Sequence, residues 1–198
     1  MTTTQWTGKN YRITFLTERL IRLEYQSGGH FEDRPTTAVQ CRDFPPVTVR
    51  EQRLPGRVEL DTPFLHLSYD EKPFSPEGLS LSVKGGLSAY MSDWRYGQPL
   101  STLGGTARTL DQADGEIPVG NGLISRNGFS VLDDSSSMIL REDGTLRPRE
   151  HAEEDLYFFG YGHDYAACLR DFYRLSGAAP LLPRWALGNW WSRFFRYT

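Results

Sequence analysis

Apolar and polar residues alternate over short runs in the first part of the chain. Between residues 10 and 26 the sequence NYRITFLTERLIRLEYQ contains two such runs, YRITF and LIRLEY, with Thr17-Glu18-Arg19 between them. An alternation of period two is typical of half-buried strands, because successive side chains of a strand point to opposite faces. The segment is therefore predicted to form a β-hairpin.

Further short alternating runs follow, separated by turn signals such as Leu54-Pro55-Gly56. The predicted strands are Val47–Glu51, Arg57–Leu60, Phe64–Tyr69, Leu79–Val83 and Ser137–Arg141. A second hairpin is predicted over Leu123–Leu132, where Asn127-Gly128 favours a tight turn between apolar flanks. Short strands separated by regular turn signals are typical of an antiparallel β-sandwich.

The segment Trp94–Gly122 breaks this pattern, because glycine is frequent and regular alternation is lost. It is predicted to be a long loop. Long loops within compact domains often carry function.

The last third of the chain contains the one clear helical pattern. A buried strand is predicted over Leu156–Tyr161, and Asp164 is placed to cap a helix. One face of that helix would carry Tyr165, Cys168, Leu169, Phe172 and Leu175. Gly177 and Pro180 would end it.

The segment Pro183–Thr198, PRWALGNWWSRFFRYT, is the most aromatic part of the chain. Its C-terminal part is predicted to be the first strand of a second domain, the rest of which lies beyond Thr198. The predicted division is thus a β-sandwich over residues 1–154, followed by a linking strand, helix and truncated second domain over residues 155–198.

Composition narrows the range of partners. The 198 residues carry a formal net charge of −3 and no basic block, so neither a nucleic acid nor a membrane is an expected partner. Cys41 and Cys168 are expected to be free thiols in a reducing compartment, the cytoplasm, since the N-terminus shows no secretory signal. The four histidines show no metal-ligand spacing, and neither a metal nor an organic cofactor is expected.

Three blocks of the sequence, in this order, carry a resemblance to a known family. They are LGGTARTLDQADGEI (residues 103–117), GLISRNGFSVLDDS (122–135) and the long block from Asp155 to Phe195 that ends in PRWALGNWWSRFF. The chain resembles glycoside hydrolase family 31, which includes α-glucosidases and α-xylosidases. The resemblance implies a galactose-mutarotase-like β-sandwich, then a linking strand and helix, then the start of a catalytic (β/α)8 barrel.

The resemblance also implies where the chemistry lies. Retaining glycosidases use two carboxyl groups, one as the nucleophile and one as the acid/base. In this family both belong to aspartates on later barrel strands, which would lie beyond Thr198, so the chain alone is expected to be inactive. The loop Trp94–Gly122 would reach the rim of the substrate pocket, positioned with the help of Arg108 or Asp111. Phe194 would line the sugar site, with Trp190 on the same strand face.

Acidic residues within the chain are interpreted structurally. Asp133-Asp134 and the run Glu153-Glu154-Asp155 are expected to be solvated charges at a turn and at a boundary. His163 is expected to be structural, and Asp164 to be a helix cap.

Three other functions remain open. The chain could be a free-standing carbohydrate-binding sandwich, or an aldose 1-epimerase with His66 as its base. It could also be an interaction module that self-associates through its aromatic C-terminal strand.

Overall fold

The computed structural model describes residues 4–85, 92–105, 107, 112–151, 154–179 and 181–188. In chain order the strands of this part are β1 (Gln5–Thr7), β2 (Tyr11–Phe15), β3 (Leu20–Tyr25), β4 (Arg50–Leu54), β5 (Arg57–Asp61), β6 (Leu65–Tyr69), β7 (Leu79–Val83), β8 (Asp93–Arg95), β9 (Ser130–Asp133), β10 (Ile139–Leu140), β11 (Leu146–Arg147) and β12 (Glu154–Phe159). They are followed by helix α1 (Tyr165–Ser176) and a short 3₁₀ helix (Arg184–Leu187).

In the part of the chain that the structure describes, two five-stranded antiparallel sheets form the main body. The first has the order β1-β2-β3-β12-β9 and the second the order β4-β5-β6-β7-β8. The strands β10 and β11 form a separate small hairpin. The predicted antiparallel β-sandwich is therefore confirmed.

The main core lies between the two sheets and follows directly from the alternation. On β2 the residues Tyr11, Ile13 and Phe15 are buried, while Arg12 and Thr14 face outward and are partly exposed. The same alternation places Leu65, Leu67 and Tyr69 of β6 in this core.

Helix α1 packs on the outer face of the first sheet and forms a second apolar cluster. Ala167, Cys168 and Leu175 of the helix contribute to this cluster together with Leu20 of β3 and Phe159 of β12. The side chain of Asp164 accepts a hydrogen bond from the backbone N–H of Ala167, which confirms the predicted cap. Gly177 ends the helix with a φ of 90°.

Strand β12 corrects the predicted division at residue 154. It lies inside the first sheet, where it pairs with β3 over its whole length and with β9 over four residues. Its Leu156 and Phe158 belong to the main core. The division was wrong in separating residues 155–159 from the sandwich, because a continuous apolar run also fits a central strand covered on both faces.

Three other predictions differ in detail. The strand predicted over Val47–Glu51 lies at Arg50–Leu54, because a two-residue turn with Gly56 at φ +70° pairs Leu54 with Arg57. Leu123–Ser125 is not a strand, and the hydroxyl of Ser125 instead donates to the Phe129 carbonyl at 2.6 Å and accepts from its N–H. Leu169 was predicted to lie on the apolar face of helix α1, but it is 40% exposed.

Candidate functional site

The four residues predicted to contact substrate, namely Arg108, Asp111, Trp190 and Phe194, lie outside the described residues. The same holds for the whole of the aromatic segment after Gly188. Their roles stay predictions. The described part of the chain does contain both ends of the long loop that carries Arg108 and Asp111.

Both ends of this loop are held together by backbone hydrogen bonds, and we call this region the loop neck (residues 102–105 and 120–124). The Leu103 N–H donates to the Ile124 carbonyl at 2.9 Å, and the Gly105 N–H to the Gly120 carbonyl at 2.7 Å. The Gly122 N–H donates to the Thr102 hydroxyl at 2.8 Å. The loop therefore leaves the sandwich from a defined base.

Two glycines allow the backbones of the neck to come this close. A Cβ atom added to Gly122 would lie 2.3 Å from the Gly104 carbonyl oxygen. A Cβ added to Gly105 would lie 2.7 Å from the Asn121 oxygen. Both distances are too short for non-bonded heavy atoms, so these positions require glycine for steric reasons.

The most concentrated group of charges lies on the outer face of the first sheet, and we call it the buried charge cluster (Arg22, Glu24, Asp134, Arg149 and Asp155). Arg22 donates two hydrogen bonds to Asp155, each of 2.8 Å. Arg149 donates to Asp155 at 2.9 Å and to Asp134 at 3.0 Å. The side chains of the three carboxylates are fully buried.

This cluster overturns the expectation that Asp134 and Asp155 are solvated. Glu24 is covered in the same way and accepts two hydrogen bonds from Arg12 at 2.6 and 2.7 Å. Sequence reasoning missed the cluster because the outward face of an antiparallel strand is usually solvated. The signal was the apolar length of LYFFGY after Asp155, which indicated a strand covered on both faces.

The pKa values of the carboxyl groups in the cluster are shifted in different directions. Burial would raise the pKa of Asp155, but the hydrogen bonds and charge of Arg22, with Arg149, lower it overall. Burial raises the pKa of Glu24 despite its bonds to Arg12, and it raises that of Asp134 despite hydrogen bonds from Ser137 and Thr36. Glycosidases also separate the pKa values of two carboxyls. Here, however, the carboxylates are enclosed and occupied by guanidinium groups, so the arrangement is structural.

His66 has a carboxylate beside it, as an epimerase would require. Its Nδ1 atom lies 3.1 Å from Asp61 on the outer face of the second sheet. Asp61 also accepts from Lys84 and Arg50. Burial would raise the pKa of Asp61, but these partners lower it to about 2. An aspartate held so firmly as an ion pair orients the imidazole but does not act as an acid at neutral pH.

His163 has a local partner. Nε2 of His163 lies 2.9 Å from the Arg126 carbonyl oxygen, which fits a structural role. In the part of the chain that the structure describes, no three His, Cys, Asp or Glu side chains are arranged to hold a metal ion. Among these same residues, no helix combines the length and the apolar character needed to cross a membrane.

Large apolar side chains are exposed after helix α1. Leu181 is fully exposed, and Trp185 and Leu187 are each 73% exposed. Leu103 and Val119, on the two sides of the long loop, are about half exposed. Contiguous exposed apolar patches are typical of interaction sites, whereas single exposed apolar side chains are common in folded proteins.

Comparison with known proteins agrees with this description. The chain is similar to an α-xylosidase from Saccharolobus solfataricus, with 30% identity over 92 residues, which are 45% of this chain and 12% of the xylosidase. Its fold is similar to that of a family 31 dextranase from Flavobacterium johnsoniae complexed with glucose. The TM-score is 0.50 at 13% sequence identity, covering 91% of this chain and 27% of the dextranase. A mutant of the same dextranase complexed with isomaltotriose matches equally well. No family model matches the chain.

The comparison of folds identifies the class of protein: the chain is an antiparallel β-sandwich whose fold is also found in a glycoside hydrolase. The comparisons also confirm the particular resemblance inferred from the sequence, which is to glycoside hydrolase family 31. The matched regions span about one eighth of the xylosidase and about a quarter of the dextranase.

Proposed function

We propose that the chain is the N-terminal, non-catalytic part of a retaining α-glycosidase that acts on α-glucosides or α-xylosides. The single observation that carries the proposal is the 30% identity with an α-xylosidase over 92 residues. The fold shared with a family 31 dextranase supports it.

In this proposal the catalytic carboxyls come from a barrel outside these 198 residues. The short share of each relative that the chain matches supports this view. The buried charge cluster supports it as well, because its three carboxylates are enclosed and engaged by arginines. The chain would then support the barrel, with no metal and no organic cofactor in the reaction.

The contribution of the chain to the substrate pocket would be the long loop predicted over Trp94–Gly122, without Trp94 and Arg95, which instead belong to strand β8 with Trp94 in the main core. The loop neck supports this role, because rigid positioning of loop residues is what a pocket rim requires. Arg108 and Asp111 would lie near the rim, and Phe194 and Trp190 would offer aromatic surface to the sugar.

A two-part assay tests the proposal. The 198-residue chain is incubated with p-nitrophenyl α-glucoside and α-xyloside, and a longer product of the same gene is assayed in parallel. We expect turnover only from the longer product, with retention of anomeric configuration detected by NMR. Turnover by the 198-residue chain, or a gene without a barrel after codon 198, would overturn it.

The isolated chain is further proposed to self-associate. Leu181, Leu182 and Leu187 expose apolar surface that the barrel would cover. Light scattering after size exclusion should show oligomers that a Leu181→Ser/Leu187→Ser variant reduces to monomers, and a monomeric parent chain would contradict this.

A cytoplasmic location is proposed because Cys41 and Cys168 are both free, and cell fractionation tests it.

A further inference from the structure

A groove runs along the small hairpin β10–β11. It consists of three adjoining depressions with cavity volumes of about 360, 490 and 480 Å³. Arg34 lines all three, so we call it the Arg34 groove. One wall is the segment from His30 to Pro35, and the other is formed by β10, the turn after it, and residues 147–151.

The walls of the groove are held in place by the fold. The Leu140 N–H donates to the Pro35 carbonyl at 2.8 Å, and the Thr37 N–H to the Met138 carbonyl at 2.9 Å. Arg149 lines two of the three depressions and donates hydrogen bonds to Asp134 and Asp155 of the buried charge cluster. A preformed site loses little conformational entropy when a ligand binds, which favours affinity.

The charges of the groove are mixed rather than of one sign. Arg34 pairs with Glu32 at 2.7 Å and with Glu150 at 3.1 Å, and Arg141 lies 3.9 Å from Asp143. These pairs are largely exposed, apart from Glu32, whose side chain is 12% exposed. Such a surface offers hydrogen-bond donors and acceptors side by side without a strong field for an ion. It suits a neutral ligand with many hydroxyl groups, each of which both donates and accepts.

Apolar surface lies between these polar groups. Pro35 lines one depression and Pro148 another, and both prolines are exposed, whereas Ile139 beneath them is only 2% exposed. At one end the rings of His30 and His151 are stacked with their centroids 4.9 Å apart, and both residues are exposed. Flat apolar and aromatic surface is what the C–H face of a sugar ring contacts, while neighbouring polar groups bind its hydroxyls.

From this combination we propose that the Arg34 groove binds a neutral oligosaccharide. The three depressions share Arg34 and together have room for a chain of sugar units, since a single sugar would occupy only part of one of them. Arg34 would donate to hydroxyl groups at the centre, and Arg141 would donate to a neighbouring unit. This site does not depend on the glycosidase activity proposed above, because its residues belong wholly to the sandwich and its hairpin.

Calorimetric titration of the 198-residue chain tests the proposal. The probes are maltotetraose, isomaltotetraose and xylotetraose, with glucose as the single sugar and tetragalacturonate as the charged chain. We expect saturable binding of at least one neutral tetrasaccharide and at least about tenfold weaker binding of glucose, because one sugar unit makes fewer of the contacts.

Variants then locate the site. Arg34→Ala and Arg141→Ala should each weaken binding at least about tenfold, the usual effect of losing a charged hydrogen-bond donor. Arg50→Ala is the matched control, since Arg50 is an exposed arginine paired with Asp61 on the other sheet. Circular dichroism confirms that each variant is folded, and Arg141 gives an independent test if Arg34→Ala does not fold. The proposal is overturned if no neutral tetrasaccharide binds, if only tetragalacturonate binds, or if Arg50→Ala weakens binding as much as Arg141→Ala does.

Discussion

Replacing Asp155 by asparagine tests how the buried charge cluster stabilises the sandwich. The aspartate is fully buried and accepts two hydrogen bonds from Arg22 and one from Arg149. The amide is nearly the same size but carries no charge, and its NH₂ group would face guanidinium donors. Arg22 would then keep only its 3.0 Å pair with Glu24 among the buried carboxylates, and Arg149 its 3.0 Å pair with Asp134.

The size of the effect follows from this burial. Removing one partner of a buried ion pair costs about 3–5 kcal/mol, and the lower end of this range applies because Glu24 and Asp134 still compensate part of the charge of the arginines. With a typical dependence on denaturant, that loss lowers the midpoint of urea unfolding by about 1 to 2 M. The measurement is urea unfolding at neutral pH, followed by tryptophan fluorescence.

The matched control is Glu150→Gln, which makes the same chemical change at an exposed pair with Arg34. An exposed ion pair contributes about 0–1 kcal/mol, so the midpoint should move little. The double variant Arg22→Met/Asp155→Leu should be destabilised less than the sum of its single variants, because it leaves fewer unpaired charges. Equal, small shifts for Asp155→Asn and Glu150→Gln would refute this account.

The other predictions concern acid stability, the loop neck and the thiols. Because the pKa of Asp61 falls from 3.8 to about 2 on folding, its ion pairs stabilise the folded state above the unfolded pKa, and this contribution is lost as the pH falls toward 2. Asp61→Asn should therefore remove about 1 kcal/mol of the stability that the parent loses between about pH 5 and pH 2, and identical acid profiles would contradict this. Gly122→Ala should lower stability by about 1–3 kcal/mol in thermal unfolding, because the new methyl group overlaps the Gly104 carbonyl. Gly188→Ala, with its nearest atom at 3.3 Å and φ at −79°, is the control, and an equal loss would argue against a tight neck. Burial raises the pKa of Cys168 to about 12, so a disulfide reagent should modify only the partly exposed Cys41 quickly. Two fast thiols would show that the helix opens readily.

The sequence predicted the parts of the fold that depend on local pattern. β2, β3 and β7 lie where the alternation places them, because one face of each is buried in the main core. Asp164 caps helix α1 as predicted, since capping depends on neighbours within one turn.

The outer face of the first sheet was not predictable in the same way. Arg22 and Glu24 have the spacing of solvent-facing residues on β3, yet the segments around Asp33, Asp134 and Arg149 cover them. That cover brings together residues more than 100 positions apart, which no local pattern reports. The predicted substrate residues of the candidate site depended on family resemblance alone.

The position of β12 has a consequence for synthesis of the chain. One partner strand of β3 is β12, which is synthesised roughly 130 residues later. The first sheet is therefore complete only once Phe159 has been made and pairs with Leu20. Until then β3 presents an unpaired edge and β9 lacks the strand it pairs with, and unpaired strands promote pairing with other nascent chains. Folding of such distant partners is slow. A product that stops before residue 154 is therefore expected to aggregate, whereas one that extends past helix α1 carries all the described strands of both sheets.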